Sequence, residues 1–254
     1  MSWSGGPDVN AGRQRADLLL VARGLVETRS RAQAEITAGH VTSGGRIIAK
    51  AGELLAGDAP LAIENACPYV SRGGLKLAHA LDVFSVDVAG RVVLDLGAST
   101  GGFCDCLLGH GVAKIYAVDV GHGQLHEKVA RDPRVIVLEG TDARDLGPAL
   151  LPDAPQIVTA DLSFIALEKA LSPALALAAP GAILVALVKP QFEVGREGVG
   201  KGGIVRDAAM RASALAQVKD WVSAQAGWQI IGDTRSPIAG GDGNEEFLIA
   251  ARKI

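Results

Sequence analysis

The sequence predicts an α/β protein: a mainly parallel, seven-stranded sheet covered on both faces by helices, with a small α+β unit in front of it. Three observations carry this. From Arg91 to the C-terminus short apolar runs alternate with helical stretches, and strands that are apolar without interruption belong to a sheet buried on both faces. The last two runs have only a glycine-rich turn between them, too short for a crossover, so they pair antiparallel. Residues 13–50 differ from the rest: seven Lys or Arg (Arg13, Arg15, Arg23, Arg29, Arg31, Arg46, Lys50) stand against three acids (Asp17, Glu27, Glu35), a local charge of +4 in a chain of net charge −3. Such a patch on a mildly acidic protein suits a polyanion.

In chain order, "RADLLLVARG" reads as a short helix and "SRAQAEITAG" as a second, opening at the cap candidate Ser30. "HVTSGGRIIAKAGELL" follows as short strands joined by glycine turns. These elements bound a unit at 13–66. Residues 67–88 form a linker and a helix beginning near Ser71, with Leu75, Leu77, Leu81 and Phe84 apolar and Lys76 beside them. The sheet domain occupies 89–254, with strands in "RVVLDLG", "KIYAVDV", "RVIVLEG", "QIVTADLSF", "AILVALVKP", "GWQIIGDTRSPI" and "EEFLIAARKI". A length of 254 residues, 48% hydrophobic and 21% charged, suffices for one domain of ordinary size and a small appendage.

In an open α/β sheet, ligands sit outside the carboxyl ends of the strands near the switch in strand order, so polar residues there need a reason. After the first strand, "DLGASTGGF" has glycines that let the backbone approach a ligand and a helix N-terminus behind them. Three residues separate Gly97 from Gly101, a wider turn than the Gly-x-Gly of dinucleotide-binding loops, and it suits the amino-acid tail and ribose of S-adenosylmethionine. Asp95, Gly97, Ser99, Gly101, Gly102 and Phe103 are its candidate cofactor contacts. Asp119 lies 22 positions past Gly97, placed to accept from two ribose hydroxyls, an arrangement NAD enzymes share. Asp142, after the third strand, is placed either to hold an adenine amino group or to cap a helix. The fourth strand ends in "ADLSFI", so Asp161 enters the same crevice. The Asn/Asp-Pro-Pro-aromatic motif that serves amine methylation on this fold is absent, which implies a different nucleophile. Lys189 directly follows the fifth strand, and an ammonium there needs a carboxylate partner.

The stretches "SRGGLKL", "LDLGASTGGF", "VDVGHGQL", "DLSFI", "LVKPQFE" and "GNEEF", in that order from Val70 onward, resemble the hemolysin A (TlyA) family of ribosomal RNA 2′-O-methyltransferases. The catalytic domain of that family is similar to the FtsJ RNA methyltransferases and has a class I (Rossmann-like) seven-stranded methyltransferase sheet. Residues 15–63 resemble the S4-like RNA-binding domain, with "TSGG" where many such domains have Val-Asn-Gly. The resemblance implies methylation of a ribose 2′-hydroxyl, that of a cytidine, from S-adenosylmethionine, with ribosomal RNA or a ribosomal subunit as partner. It also implies a Lys-Asp-Lys-Glu tetrad: here Lys76, Asp161, Lys189 and Glu246, with Glu245 as the alternative for the last. Lys189 is then the general base or the group that positions the hydroxyl, and the others orient. Arg15, Arg23, Arg29, Arg31, Arg46 and Lys50 are candidate RNA contacts in the small domain. Arg196, Lys201 and Arg206, in the glycine-rich "GREGVGKGGIVRD", are candidates to meet phosphates. Aromatic residues are 4% of the chain, so shape and phosphate contacts should outweigh base stacking on a sheet.

Other classes fit less well. A non-enzymatic RNA-binding or ribosome-assembly factor has no use for a complete tetrad. An NAD oxidoreductase would carry Gly-x-Gly-x-x-Gly. A membrane-active hemolysin is suggested by the family name alone, since the longest apolar run is broken by Pro173, Pro180 and Gly181 and no cationic amphipathic helix is evident. The start, "MSWSGGPDVNAGRQRAD", lacks the apolar stretch of a signal peptide, and Cys67, Cys104 and Cys106 contain no Cys-x-x-Cys pair. A cytoplasmic, reducing location is therefore expected. His122 and His126 have no evident third ligand, and no metal is expected.

Overall fold

The structure, a computed structural model, describes residues 12–37, 39–48, 50–63, 67–240 and 243–254; the side chain of Arg196 lies outside this description. The chain divides into two compact units, Met1–Ala66 and Cys67–Ile254.

The first unit contains β1 (Arg13–Arg15), α1 (Ala16–Ala22), α2 (Arg29–Thr37), β2 (Val41–Ser43), β3 (Arg46–Ile47), β4 (Leu54–Ala56) and β5 (Leu61–Ile63). β1 pairs with β4, and β2 lies between β3 and β5, all antiparallel. The helix expected to open at Ser30 begins at Arg29, because Thr28 Oγ1 accepts the N–H of Arg31 at 3.1 Å and takes the capping role. Gly44 and Gly45, with φ of +57° and +80°, form the two-residue turn from β2 to β3. A tight hairpin of this kind needs positive φ at both positions. Leu19, Leu20, Ala32, Ile36, Val41 and Leu55 close the core.

The basic residues of this unit are largely engaged at home. Asp17, with no exposed surface, accepts from Arg15 Nη2 at 3.0 Å, Arg29 Nε at 2.9 Å and Gln33 Nε2 at 3.0 Å. These bonds, that of Arg15 foremost, hold its carboxyl well below the usual range. Arg31 pairs with Glu35, Arg46 with Glu53, and Arg23 donates to the carbonyls of Gly57 and Ala59. Lys50 is exposed. The cationic patch read from sequence is thus partly neutralised. The arginines are aimed by their acids while their outer faces stay accessible, the Arg15 and Arg29 side chains at 41% and 53%.

The second unit follows with α3 (Gly73–Val83), β6 (Val92–Leu96), α4 (Gly102–Gly109), β7 (Lys114–Asp119), α5 (Glu127–Ala130), β8 (Val135–Glu139), β9 (Ile157–Ala160), α6 (Leu167–Ala170), α7 (Ser172–Leu177), β10 (Ile183–Val188), α8 (Pro190–Glu193), α9 (Ala208–Ser223), β11 (Trp228–Arg235) and β12 (Phe247–Lys253). Each of the seven runs predicted as strands is one. The order is β11-β12-β10-β9-β6-β7-β8, and β12 runs against both neighbours. Alternate residues of the buried strands feed opposite faces. Leu94 and Leu96 of β6 join α6, α7 and α9 in one core, and Val93 joins α3 and α4 in the other. α3 starts at Gly73, two residues later than expected, and packs on this sheet through Leu77, Ala80 and Leu81.

Two features of this topology place chemistry. The chain runs from β6 outward to β7 and β8 and returns to β9 on the other side, so the switch in strand order lies between β6 and β9. Because β12 is antiparallel, its first residue, Phe247, pairs with the last residue of β10, Val188. Glu246 and Lys189 are therefore brought to the same end of the sheet as Gly97, Asp119 and Asp161. Among the described residues no helix is long and apolar enough to cross a membrane.

Candidate active site

Two adjoining cavities open at this end, both bounded by Gly97, Ser99, Asp161 and Ser163. The larger, about 540 Å³, is also lined by Asp119, Gln124, Asp142 and Phe164. Its floor is set by Gly97, at φ +79°, where an added Cβ would stand 2.6 Å from the carbonyl oxygen of Asp161. Asp119 is pre-aimed: its Oδ2 accepts from Ser99 N at 2.8 Å and its Oδ1 from Gly121 N at 2.7 Å.

Glu139, which the sequence reading passed over, does similar work at the end of β8. It accepts from the backbone N–H groups of Gly123, Gln124 and Leu125 at 2.7, 2.9 and 3.2 Å, and these bonds hold its carboxyl below the usual range. The loop carrying Gln124 is thereby fixed at the cavity. The available signal was an acid ending the third strand as Asp119 ends the second. A glycine floor with no room for a Cβ, a carboxylate on the wall and a cavity of this size fit an adenosine-bearing methyl donor.

Two expected cofactor residues, Asp95 and Gly101, need correction, and Asp142 keeps its place on the wall. Asp95 has no exposed surface and does not line the cavity. It accepts from Thr159 Oγ1 at 2.7 Å and Cys104 Sγ at 3.1 Å, tying β6 to β9 and α4, and burial pushes its carboxyl up to about 6 against those bonds. Gly101, at φ +91°, backs onto Leu125 and Val129 rather than the cavity. Asp142 is on the wall, but both of its oxygens accept from Arg144, at 2.9 and 2.6 Å, and it caps the turn Ala143–Asp145. Its carboxyl is held at about 2, chiefly by the Arg144 side chain. The capping alternative is the one the geometry displays.

The smaller cavity, about 270 Å³, is lined by Lys76, Asp161 and Lys189, with Gly102 and Phe103 beside them. Lys76 forms an ion pair with Glu246, and Lys189 Nζ lies 2.6 Å from Asp161 Oδ1. Lys76, Lys189 and Glu246 are buried, at 8%, 9% and 3% exposure. The four residues, 170 positions apart at the extremes, thus form two lysine–acid pairs at one place. Lys189 directs its hydrogen bond to Ser163 Oγ at 2.8 Å, and Asp161 Oδ1, although close to the ammonium, is a buried oxygen with no directed donor. A substrate hydroxyl could supply one. Glu245 faces elsewhere, accepting from Arg235 at 3.0 Å with Arg211 at 3.4 Å, so the Lys76 partner is Glu246.

Two further residues stand at the rim. Phe164 is 91% exposed at φ +65°, its ring 5.2 Å from that of Phe192. Arg72 lines the smaller cavity. Neither stood out in sequence, because exposure of an aromatic at a loop is decided by backbone φ and not by periodicity. Lys201 and Arg206 are exposed on the glycine-rich loop. Among the described residues no group of three or more His, Cys, Asp or Glu could hold a metal ion.

Glu193 supports the rim from below. Its Oε1 accepts the N–H of Leu167 at 3.0 Å, next to the Phe164 loop, and burial pushes its carboxyl up to about 7. A carboxyl raised this way is destabilising once ionised, so its favourable state is complete below about 4.5 and is lost as pH rises through 7. Urea unfolding at pH 5 and pH 8 should show the wild type losing stability relative to Glu193→Gln, on the order of 1 kcal/mol given the partial exposure of the group.

The FtsJ-like methyltransferase family matches residues 69–253, and the S4 domain matches residues 14–59. YqxC of Bacillus subtilis (strain 168) is 48% identical over 93% of this chain and 85% of its own length. The protein named 16S/23S rRNA (cytidine-2′-O)-methyltransferase TlyA, from Mycobacterium tuberculosis, is 42% identical over 95% of this chain and 91% of its own. A solved structure from Streptococcus thermophilus, carrying a hemolysin name, superposes with a TM-score of 0.73 at 39% identity, covering 95% of this chain and 89% of that one. With a switch-point cavity built on Gly97 and Asp119 and two lysine–acid pairs beside it, the chain belongs to the FtsJ-like methyltransferase family and carries an N-terminal S4 domain.

Proposed function

We propose that the protein transfers a methyl group from S-adenosylmethionine to the 2′-hydroxyl of a cytidine in ribosomal RNA, acting in the cytoplasm on rRNA or a ribosomal subunit. The division of labour is a docking unit at 13–66, a linker and Lys76 helix at 67–88, and catalysis at 89–254. The observation that carries the reading is the convergence of Lys76–Glu246 and Lys189–Asp161 on a cavity that adjoins the cofactor cavity at Gly97 and Asp161. The donor, when bound, supplies an electrophilic methyl on a sulfonium, which needs no metal activation.

The residues present then do three things. Gly97, Ser99, Asp119 and Gln124 would hold the donor in the larger cavity, which adjoins the smaller one at Gly97, Ser99, Asp161 and Ser163. Lys189 and Asp161 hold the hydroxyl in line, an orientation effect of large weight for a poor nucleophile, and its proton passes to the Asp161 carboxylate or to the Lys189 amine in its neutral form. Glu246 holds Lys76 in its place on the wall of the smaller cavity. The Phe164 ring, facing solvent at the rim, offers a stacking surface for the splayed base; this is one aromatic platform on a loop, not a sheet of them.

Incubating the protein with labelled S-adenosylmethionine and unmodified rRNA, followed by nucleoside mass spectrometry, should return 2′-O-methylcytidine; a base-methylated nucleoside would overturn the reading. Phe164→Ala should raise KM for RNA about 5- to 100-fold, as loss of one base–aromatic stack predicts; because the ring also lines the larger cavity, calorimetry should show a smaller loss of donor affinity, and a loss confined to the donor would overturn the stacking role.

A further inference from the structure

The connection into β12 holds three parts of the unit with three successive side chains. Glu246 pairs with Lys76, Glu245 joins Arg211 of α9 to Arg235 of β11, and Asn244 reaches the glycine-rich loop. Asn244 is only 1% exposed, and both ends of its amide are used. Its Oδ1 accepts from Val205 N at 2.9 Å and its Nδ2 donates to Gly203 O at 2.8 Å.

The loop it grips has little else to order it. Gly202 and Gly203 have φ of +81° and +79°, and an added Cβ at either would meet nothing within 4 Å. Beyond the turn bonds Gly203 N to Gly200 O and Gly200 N to Ile204 O, the described anchors are Asn244, the buried Val205 side chain, and Arg211, which donates to Val205 O at 3.1 Å and Arg206 O at 2.8 Å. Arg211 is itself held by Glu245. Lys201 and Arg206 are exposed on either side of the gripped residues. A glycine-rich loop with two outward cations, tied by a buried amide two residues from Glu246, is registered against the site rather than free to wander.

We infer that Asn244 is a positioning residue: it sets Lys201 and Arg206 at a fixed distance from the Lys76–Glu246 pair, so that phosphates flanking the target nucleotide are gripped in register with the reacting ribose. This rests on the RNA methyltransferase reading above. Asn244 touches neither donor nor ribose in this account and acts through the backbone of 203–205.

The test is binding of unmodified rRNA, with kinetics, across a salt series. In Asn244→Ala the slope of log K against log salt should flatten by about 1.5, the value for two lost phosphate contacts at roughly 0.7–0.9 each, although the substituted residue is uncharged. KM for rRNA should rise at least tenfold, and the Kd for S-adenosylmethionine should stay within twofold. Adding Lys201→Ala and Arg206→Ala to Asn244→Ala should cost little further affinity, because their contacts are already lost. If Asn244→Ala does not fold, Asn244→Asp, which keeps the acceptor for Val205 N and loses the donor to Gly203 O, should show the same flattening in smaller degree. A wild-type salt slope in the folded variant, or a parallel fall in donor affinity, overturns the positioning role. A wild-type protein that methylates no rRNA overturns instead the reading beneath it.

Discussion

Lys189→Ala is expected to lower the rate of methyl transfer to rRNA by about 10²- to 10⁴-fold, the range associated with removing a positioned proton-transfer group, while the Kd for S-adenosylmethionine changes less than threefold. The two readouts separate because of where Lys189 sits. Its ammonium lies 2.6 Å from Asp161 Oδ1 and 2.8 Å from Ser163 Oγ, on the wall of the smaller cavity and not among the residues lining the larger one. Truncation leaves Asp161 as a partly buried carboxylate without its cation, which costs on the order of 3 kcal/mol at a fully buried site and less here, where the Asp161 side chain is 22% exposed. The fold, held by the cores on both faces of the sheet, should tolerate this. Single-turnover kinetics with saturating donor and RNA check the rate, and calorimetry checks the affinity. A variant that keeps a tenth of the wild-type rate would remove Lys189 from the chemistry.

Gly97→Ala should weaken S-adenosylmethionine binding at least tenfold and lower the thermal midpoint by several degrees. Two costs add. The residue sits at φ +79°, where an L side chain costs about 1–2 kcal/mol. The new methyl would also lie 2.6 Å from the carbonyl oxygen and 3.0 Å from the carbonyl carbon of Asp161, both backbone atoms at the end of β9. Neither can swing away like a side chain, so overpacking adds roughly another 1–3 kcal/mol and displaces the turn and the acid that bound both cavities. Gly109→Ala is the matched control: a Cβ there meets nothing within 4 Å and φ is not positive. Equal thermal midpoints and donor affinities for the two variants would refute this account of Gly97.

Much of the architecture was legible in the residues. The central strands β6, β7, β9 and β10 follow from largely apolar runs, because a strand buried on both faces has almost no polar side to show, and the closing hairpin follows from the length of its turn. Asp119, Asp161 and Lys189 could be placed because a polar residue at the carboxyl end of a buried strand has few structural reasons to be there. Ser30 was misread as a cap because hydroxyl residues at neighbouring positions are indistinguishable by type, and only the bond from Arg31 N to Thr28 Oγ1 decides between them. Asp95 was misread because side chains alternate between faces along a strand, and sequence does not say which face meets the ligand.

The chain by itself determined the elements, their order, the glycine turn and the identity of the charged residues, all of which depend on local pattern and backbone stereochemistry. Only the tertiary structure decided which charges meet. Lys76 and Glu246 become partners because β12 inserts antiparallel beside β10 and returns its first residues to the active end of the sheet, and Arg15 and Arg29 are claimed by Asp17 because the helices of the small unit converge on it. Pairing across such distances along the chain is set by strand order and burial, and neither is written in the spacing of residues along one element.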